Sequence, residues 1–208
     1  MLALMPPAPE SRPLTVGPET DRSPAPRRPT RQQILAAAGG TVPDVIAPHL
    51  RVLFCGINPG LYSAAVSHHF ARPGNRFWLT LHLSGFTPRL LTCFEERELP
   101  ALGLGITNLV ARGTASAAEL SAEELRQGAA ALAQKTALFR PRYVAFVGMQ
   151  AYRVAFERPK AAVGLQPEML AESKIWLLPN PSGLQAHYQL PDLARLYADL
   201  RQAAGEAG

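Results

Sequence analysis

The sequence of 208 residues contains only two cysteines, Cys55 and Cys93. Two thiolates are too few for the four-cysteine cradle of an iron–sulfur cluster or for a cysteine-rich structural zinc site. Cys55 lies within an apolar run, which favours a buried free thiol and a reducing compartment. No run of about 18 apolar residues is present to predict a membrane span. The start, MLALMPPAPE, lacks the pattern of a signal peptide.

Acidic residues are missing from two long stretches of the chain. None occurs between Asp44 and Glu95, where four arginines lie, and none occurs over residues 173–191. With a net charge of +5, this distribution favours a polyanionic partner. Chance is the alternative for each stretch, because a third acid-free stretch, 125–156, has the pattern of packed secondary structure.

Several well-known site motifs are also absent. The sequence contains neither G-x-G-x-x-G nor G-x-x-x-x-G-K-[ST], which argues against nucleotide binding by those loops. It contains no H-E-x-x-H metal motif and no G-x-S-x-G nucleophile elbow. We therefore expect no cofactor and no metal ion.

The composition divides the chain into a tail and one domain. Eight of the 20 prolines precede Thr30, and the apolar residues there show no period. We predict a disordered, Pro/Arg-rich tail over residues 1–40 and a folded domain over residues 41–204.

Strand and helix patterns alternate through the predicted domain. Apolar runs predict strands over 51–55, 105–110, 143–147 and 175–178, with helices between and after them. Asn75 is predicted to cap a helix that ends at Gly85, and Ser121 with Glu124 forms a capping box. The last helix is predicted to end at Gly205. This order predicts a single-domain, three-layer αβα fold with a short, mostly parallel four-stranded sheet.

Polar loops follow three of these strands, at the edge where parallel sheets bind ligands. They are Gly56–Gly60 (GINPG), Thr107-Asn108 and Asn180–Gly183 (NPSG). Pro59 excludes the α conformation for Asn58, so the loop should present one amide side chain rigidly. A tight turn that simply favours asparagine is the alternative.

Four motifs in order, GINPGLYSA, HHFARPGNRFW, GITNLV and NPSGL, resemble the mismatch-specific uracil-DNA glycosylases, the group that includes thymine-DNA glycosylases. The similarity covers about residues 42–200 and implies a short parallel sheet flanked by helices. It also implies hydrolysis of an N-glycosidic bond after the nucleotide is flipped from duplex DNA into a pocket.

The resemblance assigns roles to particular residues. Asn58 would hold the attacking water, Phe70 would stack on the flipped base, and Leu184 would wedge into the vacated space. The other residues that it implies for the base pocket are Gly56, Ile57, Pro59, Gly60, Ser63, His69 and Asn108. Those that it implies for the wedge and the opposite base are Asn180, Pro181, Ser182, Gly183 and Gln185.

A mechanism without a carboxylate follows from the missing acids. An amide can orient water but cannot take its proton at neutral pH, and a positioned general base is worth about 10²–10⁴-fold in rate. We therefore predict a slow enzyme in which bond breaking precedes water attack and backbone donors stabilise the departing base anion. The possibility that an acidic residue of 95–98 reaches into the site and assists catalysis is left open.

The expected substrate is double-stranded DNA carrying uracil, ethenocytosine or, less readily, thymine in mismatches. After NPSGL the family commonly has a small residue and an arginine, whereas this chain has Gln185, Ala186 and His187. Preference for guanine opposite the lesion therefore stays open. We expect a cytoplasmic monomer without a membrane partner. The alternatives are a non-catalytic DNA-binding module on the same fold and an unrelated small-molecule hydrolase.

Overall fold

A computed structural model describes residues 28–183 and 187–205 of the chain. Over these residues, helices lie between the parallel strands along the chain, as the sequence predicts. The helices are α1 (Arg31–Ala36), α2 (Leu61–Val66), α3 (Phe77–Leu83), α4 (Ala122–Phe139), α5 (Met149–Ala155) and α6 (Leu190–Gly205). The strands are β1 (Val52–Gly56), β2 (Leu104–Asn108), β3 (Tyr143–Val147), β4 (Gly164–Leu170) and β5 (Ser173–Leu178). None of these helices is long and apolar enough to cross a membrane.

The strands form one sheet in the order β2-β1-β3-β5-β4. Four of them are parallel, and β4 runs antiparallel to β5 at one edge. The predicted fold class is confirmed, with β4 as a fifth strand that the sequence analysis did not include. Pro167 lies inside this strand, and proline within an apolar run argues against a strand except at a sheet edge.

Helices cover both faces of the sheet and give it three layers. Alternate strand residues point to opposite faces, so Phe54 and Cys55 belong to different apolar clusters. On the Phe54 face, Phe77 and Leu81 of α3 pack with Tyr197 of α6. The Cys55 face packs against α4 and α5. The sheet is therefore buried on both sides, which leaves the strand ends as places for polar loops.

The helix ends agree with most of the predicted caps. Ser121 and Glu124 form the predicted capping box at the start of α4. Gly85, with a φ of 79°, follows the end of α3 as predicted. The prediction for Asn75 was wrong by one position, because Arg76 occupies the N-cap of α3. The Asn75 Oδ1 still accepts a hydrogen bond from Phe77 N at 2.9 Å.

Part of the range predicted as a tail is folded. Helix α1 begins with a capping box between Thr30 and Gln33, and it packs against α2. The boundary at residue 40 was therefore too late for residues 31–40. The capping box has the sequence pattern T-x-x-Q, whose glutamine reaches back to the Thr30 N–H.

Candidate active site

The loop after β1 is joined to the chain after β2 by backbone hydrogen bonds. Leu109 N donates to Gly56 O at 2.8 Å, and Val110 N donates to Ile57 O at 2.9 Å. Thr114 N then donates to Pro59 O at 3.1 Å. The parallel pairing of β1 and β2 thus continues past both strands, which holds the INPG loop rigidly at the sheet edge.

The amide group of Asn58 is oriented by two acceptors. Its Nδ2 donates to Arg112 O at 3.0 Å and to Thr114 Oγ1 at 2.7 Å. The Thr114 hydroxyl donates to Ser116 O at 2.9 Å, so it can only accept from Asn58. Because both bonds use the nitrogen of the amide, the oxygen Oδ1 is the atom left to accept a hydrogen bond from water. Thr114 is not among the predicted site residues, because the composition of its loop gives no signal beyond its place after β2.

Asn58 lies in a cavity of about 320 Å³ at the carboxyl ends of the strands. This volume falls within the usual range of small-molecule sites. Most of the predicted base-pocket residues line it, together with two from the NPSG loop, Asn180 and Ser182. The predicted pocket residues that line it are Ile57, Pro59, Gly60, Ser63, His69, Phe70 and Asn108.

Three predicted site residues do not line the cavity, and two more lie outside the described residues. Gly56 lies behind the cavity wall, where an added Cβ would be 2.6 Å from Asn108 Oδ1. Pro181 and Gly183 are not among the lining residues. Leu184 and Gln185 lie outside the described residues, so their predicted wedge and opposite-base roles stay predictions.

Phe70 forms an aromatic wall of the cavity. Its ring stacks on Phe77 with centroids 3.9 Å apart and planes 17° from parallel. Its backbone is left-handed, with a φ of 51°, which is uncommon for a residue with a bulky side chain. Hydrogen bonds hold both neighbours of Phe70, because His69 N donates to Glu96 and Ala71 N donates to Ser63 Oγ. Strain of this kind clusters at functional sites.

His69 is buried and has a partner at each ring nitrogen. Nε2 lies 3.0 Å from Pro43 O, an acceptor, so this nitrogen carries the proton. Nδ1 then accepts from Asn108 Nδ2 at 3.4 Å. Burial lowers the pKa of His69 below its ordinary value, and the Glu96 charge opposes this only in part. The neutral imidazole therefore acts as a fixed wall that also orients the Asn108 amide.

We expect the free energy of unfolding to decrease as the pH falls through the pKa that His69 has in the unfolded chain. Since the folded pKa is the lower one, the unfolded state takes up this proton first, and the loss grows until the folded pKa is reached. The slope from this one group is at most about 1.4 kcal/mol per pH unit. Urea titrations of the wild type and His69→Gln from pH 7.5 to 5 measure it. Identical slopes for both proteins would contradict the assignment.

No carboxylate lines the cavity among the described residues. Glu96 is buried behind it, where Oε1 lies 2.8 Å from His68 Nδ1 and Oε2 accepts from His69 N. Glu95 and Glu98 bind Arg89 at the surface. Glu96 thus supports the histidine segment, and none of the acids of 95–98 lines the cavity, so the possibility left open from the sequence is not realised.

The NPSG loop forms the opposite wall through its own turn and through Arg76. Asn180 Oδ1 accepts from Ser182 N at 2.9 Å, which closes an Asx turn. The guanidinium of Arg76 donates to the carbonyl oxygens of Pro181 and Ser182. From the sequence, Arg76 is predicted only as one of the basic residues, with no structural partner.

Residues 43–201 match the family model of the uracil DNA glycosylase superfamily. The match covers most of the chain, and the protein belongs to this superfamily of DNA repair glycosylases. A solution NMR structure from Methanosarcina acetivorans, described as a "putative Uracil DNA glycosylase", is similar with a TM-score of 0.54 and 16% identity. The match covers 78% of this chain and 98% of that one. At this identity the structural similarity shows the fold, and the family match supports uracil excision in general.

Proposed function

We propose that this protein is a monofunctional, mismatch-specific uracil-DNA glycosylase similar to the thymine-DNA glycosylases. It flips uracil, and also ethenocytosine or more slowly thymine, out of double-stranded DNA and hydrolyses the N-glycosidic bond, leaving an abasic site. The observation that carries the proposal is the Asn58 amide, held by Arg112 O and Thr114 Oγ1 on a cavity whose described lining has no carboxylate.

The proposed reaction depends on position and polarity and not on proton abstraction. Asn58 Oδ1 accepts a hydrogen bond from a water and directs its oxygen lone pair at the anomeric carbon. The flipped base stacks on the free side of Phe70, whose other side rests on Phe77. The glycosidic electron pair leaves with the base, and backbone N–H groups around the INPG loop stabilise that anion. Water then adds to the sugar cation and loses a proton to solvent or to the departed base anion, so no strong base is required.

The surroundings of the cavity fit a DNA substrate. Arg72 lines the rim and is exposed, so it is available to a phosphate. Where the family commonly has a small residue and then an arginine after NPSGL, this chain has Gln185 and Ala186, followed by the exposed His187. We therefore propose a weaker dependence on guanine opposite the lesion than a charged contact would give. We also propose that the protein acts as a monomer in the cytoplasm.

A strand-nicking assay tests this function. The wild type should release uracil from a duplex with uracil opposite guanine, and alkali should then cleave the strand. The same assay ranks the other substrates by their rate of base release. These are duplexes with uracil opposite adenine, duplexes with ethenocytosine or thymine opposite guanine, and single-stranded DNA carrying uracil. Tight binding without release would favour the non-catalytic module, which the lack of a lining carboxylate also fits. If the wild type neither binds the duplex nor releases uracil from it, the proposal is refuted.

We expect Thr114→Val to slow uracil release about 10-fold, because it removes the hydroxyl that accepts from Asn58 Nδ2. Thr114 is buried, and valine keeps nearly the same shape, so the packing around the site should be preserved. Thr114→Ser restores the hydroxyl and should stay within about 3-fold of the wild type. Single-turnover rates on the duplex with uracil opposite guanine measure both. Equal rates for Thr114→Val and the wild type would show that the amide needs no such partner.

A further inference from the structure

Arg76 joins two parts of the chain that are far apart in sequence. From the N-cap of α3, its guanidinium donates to three carbonyl oxygens of the loop after β5. The distances are 3.1 Å from Nε to Pro181 O, 2.9 Å from Nη2 to Ser182 O and 2.8 Å from Nη1 to Tyr188 O. The Arg76 backbone N–H also donates to Pro181 O at 3.2 Å. One side chain thus holds the loop where it leaves β5 and where it approaches α6.

These contacts require the shape of arginine. The three acceptors are neutral carbonyls, and residues 173–191 contain no acid that could pair with the cation. Lysine offers its donors from a single atom, whereas the planar guanidinium spreads its N–H groups over a fixed fork. The contact with three separate carbonyls therefore depends on geometry as well as on charge.

The loop also approaches the turn before α3 closely. A Cβ added to Gly183 would lie 2.9 Å from Gly74 O, a distance that leaves no room for a larger side chain. Asn75, between Gly74 and Arg76, lines the cavity, as do Asn180 and Ser182 across from it. The guanidinium therefore ties the loop after β5 to the turn before α3, beside the cavity.

We propose that Arg76 is a positioning residue that fixes the loop after β5 for action on paired DNA. This role rests on the proposed function, in which that loop contacts the duplex as the nucleotide is flipped. A loop released from Arg76 has to be ordered at each encounter, which costs conformational free energy. That cost matters most where a base pair must be opened, and least where the uracil is already unpaired.

The test compares Arg76→Met and Arg76→Lys with Arg201→Met. Arg201 is a matched control, because its Nε donates to Ser84 O at 2.9 Å at the other end of α3, away from the cavity. Two measurements are made on each full-length protein. Hydrogen exchange of the DNA-free protein reports on the backbone amides of residues 182, 183 and 187–190. Single-turnover release is measured for uracil opposite guanine and for uracil in an unpaired bubble.

For Arg76→Met we expect faster exchange in the loop and release from the duplex slowed about 10- to 100-fold. Release of uracil from the bubble by Arg76→Met should change by less than about 3-fold. The exchange and the duplex rate of Arg76→Lys should lie between those of the wild type and Arg76→Met. The control Arg201→Met should leave the exchange of the loop and both release rates unchanged. Unchanged loop exchange would overturn the anchoring. Equal losses on both substrates would overturn the role in paired DNA. A wild type that releases uracil from neither substrate refutes the proposed function itself, and with it this role, whatever the exchange shows.

Discussion

Asn58→Ala should slow the release of uracil from a duplex with uracil opposite guanine by about 100- to 1000-fold. The variant removes the oxygen that orients water, while the base can still enter the cavity and stack on Phe70. Duplex affinity should therefore stay within about 3-fold of the wild type. Single-turnover rates at saturating enzyme, together with fluorescence anisotropy of labelled duplex, separate the two effects.

The control for this prediction is Asn75→Ala, which removes another asparagine from the same cavity. The Asn75 side chain accepts from Phe77 N, so it serves the start of α3, and we expect a much smaller loss of rate. Thermal unfolding should show both variants folded at the assay temperature. Retention of most of the wild-type rate in Asn58→Ala would exclude Asn58 as the residue that holds the water.

Gly128→Ala should destabilise the protein, although alanine is the better helix former. The added Cβ would lie 2.3 Å from Leu109 O, a backbone atom of the chain leaving β2. Gain in helix propensity is worth about 1 kcal/mol, whereas overpacking costs about 1–3 kcal/mol and more when backbone must move. We expect a net loss of about 1–2 kcal/mol in the free energy of unfolding, measured by urea titration.

Gly205→Ala is the matched control for Gly128→Ala. It also replaces a helical glycine, at the end of α6, but an added Cβ there meets no atom within 4 Å. Its stability should stay within about 0.5 kcal/mol of the wild type. If Gly128→Ala is as stable as this control, α4 does not press on the chain after β2 in the way the distance indicates.

Much of the fold could be predicted because its strands are short apolar runs that end at polar turn residues. Tyr143–Val147 begins and ends where its pattern predicts, and the Ser121 capping box marks the start of α4. The antiparallel strand β4 could not be predicted in this way. Its apolar Leu165 and Met169 are exposed whereas Gln166 is buried, so no apolar face marks the strand. Pro167 also interrupts the pattern that a central strand would show.

The residues of the candidate site also fall into those that the sequence indicates and those that only the structure shows. Asn58, Phe70 and Asn180 follow strands or sit in distinctive motifs, so the sequence points to them. Thr114 and Arg76 act through contacts with residues distant in the chain, and a single sequence carries no signal for such pairings. The amide orientation of Asn58 therefore becomes visible only when the loops after β1 and β2 are seen side by side.

The central claim is that the Asn58 oxygen directs water at the anomeric carbon of a flipped nucleotide. The most direct measurement is a crystal structure of the wild type with a duplex containing 2′-fluoro-2′-deoxyuridine opposite guanine, in which the fluorine slows cleavage. We predict the uracil ring against Phe70 and a water bonded to Asn58 Oδ1 on the far side of the anomeric carbon from the base. A uridine that lies elsewhere, or a water held by a carboxylate instead, would contradict the account.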